Sequence, residues 1–204
     1  MKLAYVPALL GVLTVAPPLS GQASSDGWAL RLGVSRDAFT GASSDTTAVP
    51  GTVVDVQPAP RVAFEIGLRR AFRGWEVIVA AGYATGAARA STPAVLLEDR
   101  TGGVDRWRAG LLIGKRLATL DRASLVVLAG PGIDHWETDG FGNRTTVSGR
   151  AGLALRVPLG AVSFENSAFF GVGGTPFDRR YLPPEAVVHT LRTWSIGAAL
   201  LIGL

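Results

Sequence analysis

Residues 75 to 83 read Trp-Glu-Val-Ile-Val-Ala-Ala-Gly-Tyr, so that Trp75, Val77, Val79, Ala81 and Tyr83 share one face while Glu76, Ile78, Ala80 and Gly82 share the other. A period of two is the mark of a β-strand with unlike faces. Eight stretches of this kind follow one another, at roughly 27 to 36, 60 to 71, 74 to 86, 105 to 117, 122 to 136, 144 to 157, 160 to 171 and 187 to 203. Their connections run long, short, long, short, moderate, short, long, which returns both ends of the array to the short-turn side. The long connections, 37 to 59, 87 to 104 and 172 to 186, with 137 to 143 shorter, are rich in Gly, Ser, Thr, Pro and Asp, the residues of surface loops. Within the first, Thr52-Val53-Val54-Asp55-Val56 extends the second strand outward until Pro58 and Pro60 interrupt it.

No segment beyond the amino-terminal 23 residues approaches the roughly 18 uncharged apolar residues of a spanning helix, although 48% of the chain is apolar. Hydrophobicity delivered in short alternating pieces suits a closed barrel in lipid, because only helices and barrels satisfy their backbone groups there. The reading is therefore all-β: an eight-stranded antiparallel up-and-down transmembrane β-barrel over 24 to 204, after a signal peptide over 1 to 23. The outward rows include Leu30, Leu32 and Val34, then Val62, Phe64, Ile66 and Leu68, then Leu153, Leu155 and Val157, and Ile196, Ala198, Leu200 and Ile202. Trp28, Trp75, Tyr83, Trp107 and Trp194 stand at the ends of such rows, where aromatic rings meet the membrane interface. Asn166 is the polar exception among them. The fifth strand is the least regular, since Leu125-Val126-Val127-Leu128 is apolar on both faces and Pro131 sits between two glycines.

The opposite parity gathers Arg31, Arg61, Glu65, Arg69, Glu76, Arg106, Arg108, Arg150, Arg156 and Glu165, interspersed with glycines. An eight-stranded barrel encloses a space just wide enough for side chains to fill. With a turn at Phe72-Arg73, Arg69 and Glu76 become direct cross-strand partners; with a turn at Pro158-Leu159, Glu165 falls opposite Gly152 and diagonal to Arg150. Arg31 and Glu65 share a depth. An unpaired ion away from water is costly, so Arg31, Glu65, Arg69, Glu76, Arg150 and Glu165 are expected to form one ion-pair network closing the bore. Removing Glu76 alone should strand Arg69.

Composition narrows the chemistry. Lys2, an apolar run over 3 to 15, Pro17-Pro18 and small residues at Gly21 and Ala23 have the layout of a secretory signal peptide. There is no cysteine, which excludes disulfides, thiolate metal sites and a lipidated amino terminus. Two histidines do not make a multi-histidine metal site. The net charge of +4 is carried almost wholly by arginines spread along alternating strands, not massed in the patch that nucleic acid requires.

The strand count, loop asymmetry, aromatic ends and Arg/Glu bore resemble the small eight-stranded outer-membrane barrels of Gram-negative-type bacteria, in the manner of the OmpA transmembrane domain and OmpX. Their carboxyl-terminal assembly signal is matched in outline by Ser195, Gly197, Leu200, Ile202 and Leu204, with an aliphatic residue where an aromatic one is usual. The resemblance implies a monomer in the outer membrane, exported through the periplasm, with periplasmic termini and no catalytic residue, cofactor or metal. It implies outer-membrane lipid, lipopolysaccharide and the barrel-assembly machinery as partners, and a structural, low-conductance or surface-interaction role. Two other readings stay open. A lipid A-modifying barrel enzyme would use His189, beside Thr190, or His135, near Asp134 and Glu137, but neither has a serine at His-x-Ser spacing. A secreted lipocalin-like barrel would invert the two faces, apolar inside and charged outside. The loop with Phe177, Asp178, Arg179, Arg180 and Tyr181 offers a charged and aromatic tip to a surface partner.

Overall fold

The computed structural model describes residues 27–49, 52–92, 96–139, 142–181 and 186–204. The signal peptide expected over 1 to 23 lies outside the described residues. In chain order the strands are β1 Gly27–Thr40, β2 Ser43–Val49, β3 Thr52–Pro58, β4 Arg61–Phe72, β5 Trp75–Ala84, β6 Ala87–Ser91 and β7 Leu96–Leu120. They continue with β8 Ala123–Thr138, β9 Gly142–Leu159, β10 Val162–Gly173, β11 Val187–Val188 and β12 Leu191–Gly203. Eight of them, β1, β4, β5, β7, β8, β9, β10 and β12, pair antiparallel with their chain neighbours, and β12 returns to β1 to close the barrel. Both ends of the barrel chain meet at the short-turn end, where the Leu204 amide donates to the Trp28 carbonyl at 3.1 Å.

The register fixes the barrel's dimensions. Following cross-strand partners from Trp28 leads through Arg70, Val77, Ile113, Ala129, Ala151, Phe170 and Trp194 to Ala38, ten residues further along β1. A stagger of ten residues at ~3.3 Å each, against eight strands ~4.8 Å apart, tilts the strands by about 41°. Along the barrel axis, Trp28 and Ala38 are then about 25 Å apart, the height of the apolar band of an outer-membrane barrel.

Exposure decides which face is which. Phe64 is 64% and Ile196 74% exposed, whereas Ile78, Trp136 and Glu165 are 0% exposed. The apolar rows face outward and the charged rows fill the bore, opposite to the lipocalin arrangement. One wall of the bore is nonetheless apolar: Ile78, Leu112, Val126, Leu128, Ala154 and Phe169 pack together inside. This accounts for the fifth strand, whose alternate residues face outward on one side and this inner wall on the other. Pro131 continues the strand without a backbone donor, and the β7–β8 ladder passes from Gly110↔Gly132 to Ile113↔Ala129. Gly130 fits there because a Cβ would sit 1.9 Å from the Leu111 carbonyl oxygen.

Two turns and three strand ends differ from the sequence reading. The first short turn is Arg73-Gly74, both at positive φ (48° and 79°), the backbone signs of a type I′ hairpin, so Phe72 pairs with Trp75. The third is Gly160-Ala161, with Gly160 at φ 71°, so Leu159 pairs with Val162. At the other end the strands run on past the expected loops: β1 reaches Thr40, β8 reaches Thr138, and β7 starts at Leu96. There β11, β2, β3, β6 and the first part of β7 form a small sheet continuous with the barrel through β7. The segment around Thr52 to Val56 belongs to β3 of this sheet and is separated from β4 by Ala59-Pro60.

Candidate functional site

The bore is organised by seven side chains on five strands. Arg150 donates to Glu65 (2.7 Å), and Glu65 also accepts from Arg31. Arg31 reaches Glu165 (2.9 Å), and Glu165 accepts from Arg156 at 2.6 Å. Arg156 grips Glu76 with both terminal nitrogens, Nη2 to Oε1 at 2.7 Å, and Glu76 accepts from Arg69 Nε at 2.7 Å. The result is an unbroken alternating chain, Arg150, Glu65, Arg31, Glu165, Arg156, Glu76, Arg69. Its middle is the driest part: Glu165 is 0% and Glu76 3% exposed at the side chain, against 12–15% for Arg150, Glu65 and Arg69 towards the ends. Removed from bulk water, such ions are tolerated only with partners on every side, and each interior member here has two.

A second cluster lies nearer the loops. Asp134, opposite Arg108 in register, accepts from Arg108 Nε at 2.7 Å and Arg106 Nε at 2.9 Å. Arg106 also donates to Asp37 at 3.1 Å, and the Ser195 hydroxyl donates to Asp37 at 2.7 Å. Above it, the Arg61 and Arg106 guanidiniums stack on Phe39 and Trp136, with centroid distances of 5.0 to 5.8 Å. Phe177, Val104 and Leu191 pack on the same rings. Arg61 donates to the Val104 and Ala59 carbonyls. Two cavities of about 30 Å³ each lie here, one lined by Asp37, Arg106, Arg108, Glu65 and Arg150, the other by Arg31, Glu65 and Arg150. Each has room for one or two waters, so this stretch of the bore is filled by side chains.

No family model matches the sequence, and no curated protein matches it. Among solved structures, Neisserial surface protein A (NspA) superimposes with a TM-score of 0.62 at 8% identity, over 87% of this chain and 97% of that one. The chain has the fold of an eight-stranded outer-membrane β-barrel. Ail of Yersinia pestis, solved in complex with the heparin analogue sucrose octasulfate, aligns at 17% identity and a TM-score of 0.46, over 86% of this chain and 97% of that one.

In this eight-stranded barrel, the six residues singled out from sequence, Arg31, Glu65, Arg69, Glu76, Arg150 and Glu165, all lie in the seven-membered chain, but their pairing differs in detail. Arg69 bonds Glu76 from the diagonal, since Ala71 is opposite Glu76 and Ile78 opposite Arg69. Glu165 lies opposite Arg156, not Gly152, and Arg150 turns to Glu65 instead. Both corrections follow from the turns lying further along the chain than their flanking residues suggested. Arg156, which joins Glu165 to Glu76, was therefore outside the expected set. Asp37 and Asp134 were missed too, although parity was the available signal: Asp37 continues the Arg31, Ser35 row, and Asp134 the Val126, Leu128 row.

The aromatic ends form two bands. Trp28 and Trp75 stand at the turn end, each over a cation, Arg70 at 5.3 Å and Lys115 at 4.6 Å from the ring centroids. Tyr83 stacks on Trp107 at 4.5 Å and Trp194 on Phe170 at 4.7 Å at the loop end. Asn166 is exposed on the outer face, opposite Ala198. Of the loop tip expected to face a partner, Phe177 is instead fully buried, its carbonyl accepting from Arg144, while Asp178 pairs with Arg180 at 2.7 Å. His189 meets Ser44 at 2.8 Å across the small sheet, and His135 meets Thr145 at 2.8 Å, contacts that linear spacing does not reveal. Among the described residues, no group of three or more His, Asp and Glu is placed to hold a metal ion.

Proposed function

We propose that this chain is a monomeric, non-enzymatic integral protein of the bacterial outer membrane, exported through the periplasm, whose bore is closed and whose working surface is its loop end. The observation that carries this reading is the unbroken seven-residue ion-pair chain, which gives each interior member two partners of opposite charge and so leaves little to attract a file of water. The stacked cap of Phe39, Trp136, Arg61 and Arg106 supports it, because a permeant solute would have to displace buried rings as well as paired ions. Outer-membrane lipid, lipopolysaccharide and the assembly machinery are the partners this placement calls for. The Ser44–His189 contact does not by itself favour an enzyme: a hydrolytic base also needs an orienting group, and no carboxylate bonds His189 among the described residues.

Single-channel recording in planar bilayers tests the closed bore. The refolded protein is expected to give no resolved steps, and an Arg156→Ala, Glu76→Ala double variant to give leak events. Steady ohmic steps from the unaltered protein would sink the proposal.

A further inference from the structure

Among the described residues the outer face carries a concave feature, and two polar exceptions in the apolar rows, Arg36 and Asn166, neighbour its lining residues Val34 and Ala198. A groove of about 630 Å³ runs over β12, β1, β4 and β5, with Ala81 and Ala198 among its lining and Leu32, Val34, Phe64 and Leu200 rising around them. It is a groove because small side chains sit among large ones in the same outward rows: Val34 pairs with Ala198 on one side and Phe64 on the other, and Ile66 pairs with Ala81. Its volume falls within the range of ligand-binding clefts.

Arg36 lies two residues above Val34 on the same outward row, beside Ile196 and Val62. Counted up β1, it stands about 20 Å above Trp28, just inside the upper aromatic band. Arg36 is exposed and makes no hydrogen bond or ion pair among the described residues. An arginine on the lipid face costs up to ~2–4 kcal/mol near the midplane and much less at the interface, where its guanidinium meets headgroups. Asn166, lower on β10, flanks the same groove through its partner Ala198. Arg192 is also outward and exposed, higher on β12.

We infer that the groove is a binding site for a single anionic lipid, with Arg36 holding the headgroup phosphate and an acyl chain lying over Ala198 and Ala81. The inference rests on the apolar face being membrane-embedded and is independent of whether the bore conducts. Charge selects the occupant: a neutral lipid fills the groove equally well but offers nothing to Arg36 beyond what a zwitterion shares with its own ammonium. The planar fork of an arginine suits a phosphate in particular.

Native mass spectrometry of the full chain in detergent, titrated with phosphatidylglycerol or with phosphatidylcholine of the same acyl chains, tests this. The unaltered protein is expected to retain one phosphatidylglycerol in preference to phosphatidylcholine, and Arg36→Gln to lower that preference about tenfold, as the loss of a charge-assisted hydrogen bond requires. Ala198→Phe, which fills the groove, is expected to reduce retention of both lipids, and Arg70→Gln, at the opposite end, to change neither. Heat-modified migration on gels confirms that each variant is folded. Equal retention of the two lipids by the unaltered protein, or an unchanged preference in Arg36→Gln, overturns the inference. Protection from thermal unfolding by inorganic phosphate alone, equal to that by the lipid, overturns the role of the groove.

Discussion

Glu165→Gln is the most informative single change in the bore. The substitution keeps size and shape but removes the charge at a fully buried position that accepts from Arg31 at 2.9 Å and Arg156 at 2.6 Å. Arg31 retains Glu65 and Arg156 retains Glu76, so neither guanidinium is wholly abandoned, yet each is left with one carboxylate in place of two. Two charge-assisted hydrogen bonds at about 1.5–3 kcal/mol each, in a site where breaking a buried pair typically costs about 3–5 kcal/mol, set the expected loss at about 3–5 kcal/mol. Reversible urea unfolding of the protein in lipid vesicles, followed by tryptophan fluorescence, measures it. With a urea dependence of about 2–3 kcal/mol/M, the midpoint should fall by about 1–2.5 M. Glu65→Gln, nearer the wetter end of the chain, should cost less. Combining Glu165→Gln with Arg31→Gln should cost clearly less than the sum of the single changes, because the second removes a charge that the first left short of a partner. A midpoint shift under about 0.5 M, or strict additivity, would refute the argument that these contacts act as one connected unit.

Other changes test other parts of the fold. Ile66→Arg, on the outer face between the aromatic bands, should cost about 2–4 kcal/mol in the same unfolding assay, and no loss would mean that this face does not contact hydrocarbon. Gly130→Ala should prevent correct closure of β7 on β8, since its Cβ would lie 1.9 Å from a backbone oxygen; refolding yield, read as heat-modified gel migration, should fall sharply. Asp178, in the loop beyond β10, has its carboxyl lowered from 3.8 to about 2, first by the Arg180 side-chain hydrogen bond. A depressed carboxyl makes its contribution above the unfolded value and loses it as pH falls through the folded one, so the Asp178–Arg180 contact should persist until roughly pH 2. An NMR titration of the Asp178 side-chain carbon should give that midpoint, and Arg180→Gln should return it towards the ordinary aspartate range.

Parity made the barrel legible from sequence, because an apolar outer face and a packed, charged bore impose opposite demands on alternate residues. Trp28, Trp75, Trp107 and Trp194 were placed by the same logic, and the Arg31, Glu65, Glu76 and Glu165 rows pointed inward without knowledge of any contact. Register was harder to see. It depends on which two residues take the positive-φ positions of a hairpin, and placing the turn at Pro158-Leu159 rather than Gly160-Ala161 concealed the role of Arg156. Strand ends were harder again: Asp37 sits among loop-forming residues in the sequence, yet it continues β1 and points to the lumen partners Arg106, Ser195 and Ser35. The stacking of Phe39, Trp136 and Phe177 joins segments far apart in the chain, and no local pattern announces it.

The seven-residue chain begins at Arg150 and ends at Arg69, so four guanidiniums face three carboxylates. An odd count of alternating charges leaves one positive charge formally uncompensated along the barrel's midsection, spread over the two termini of the series. An ion that reached this stretch of a loosened bore would meet that surplus. Chloride would be admitted more readily than potassium, and the sign of the reversal potential across a salt gradient would report it.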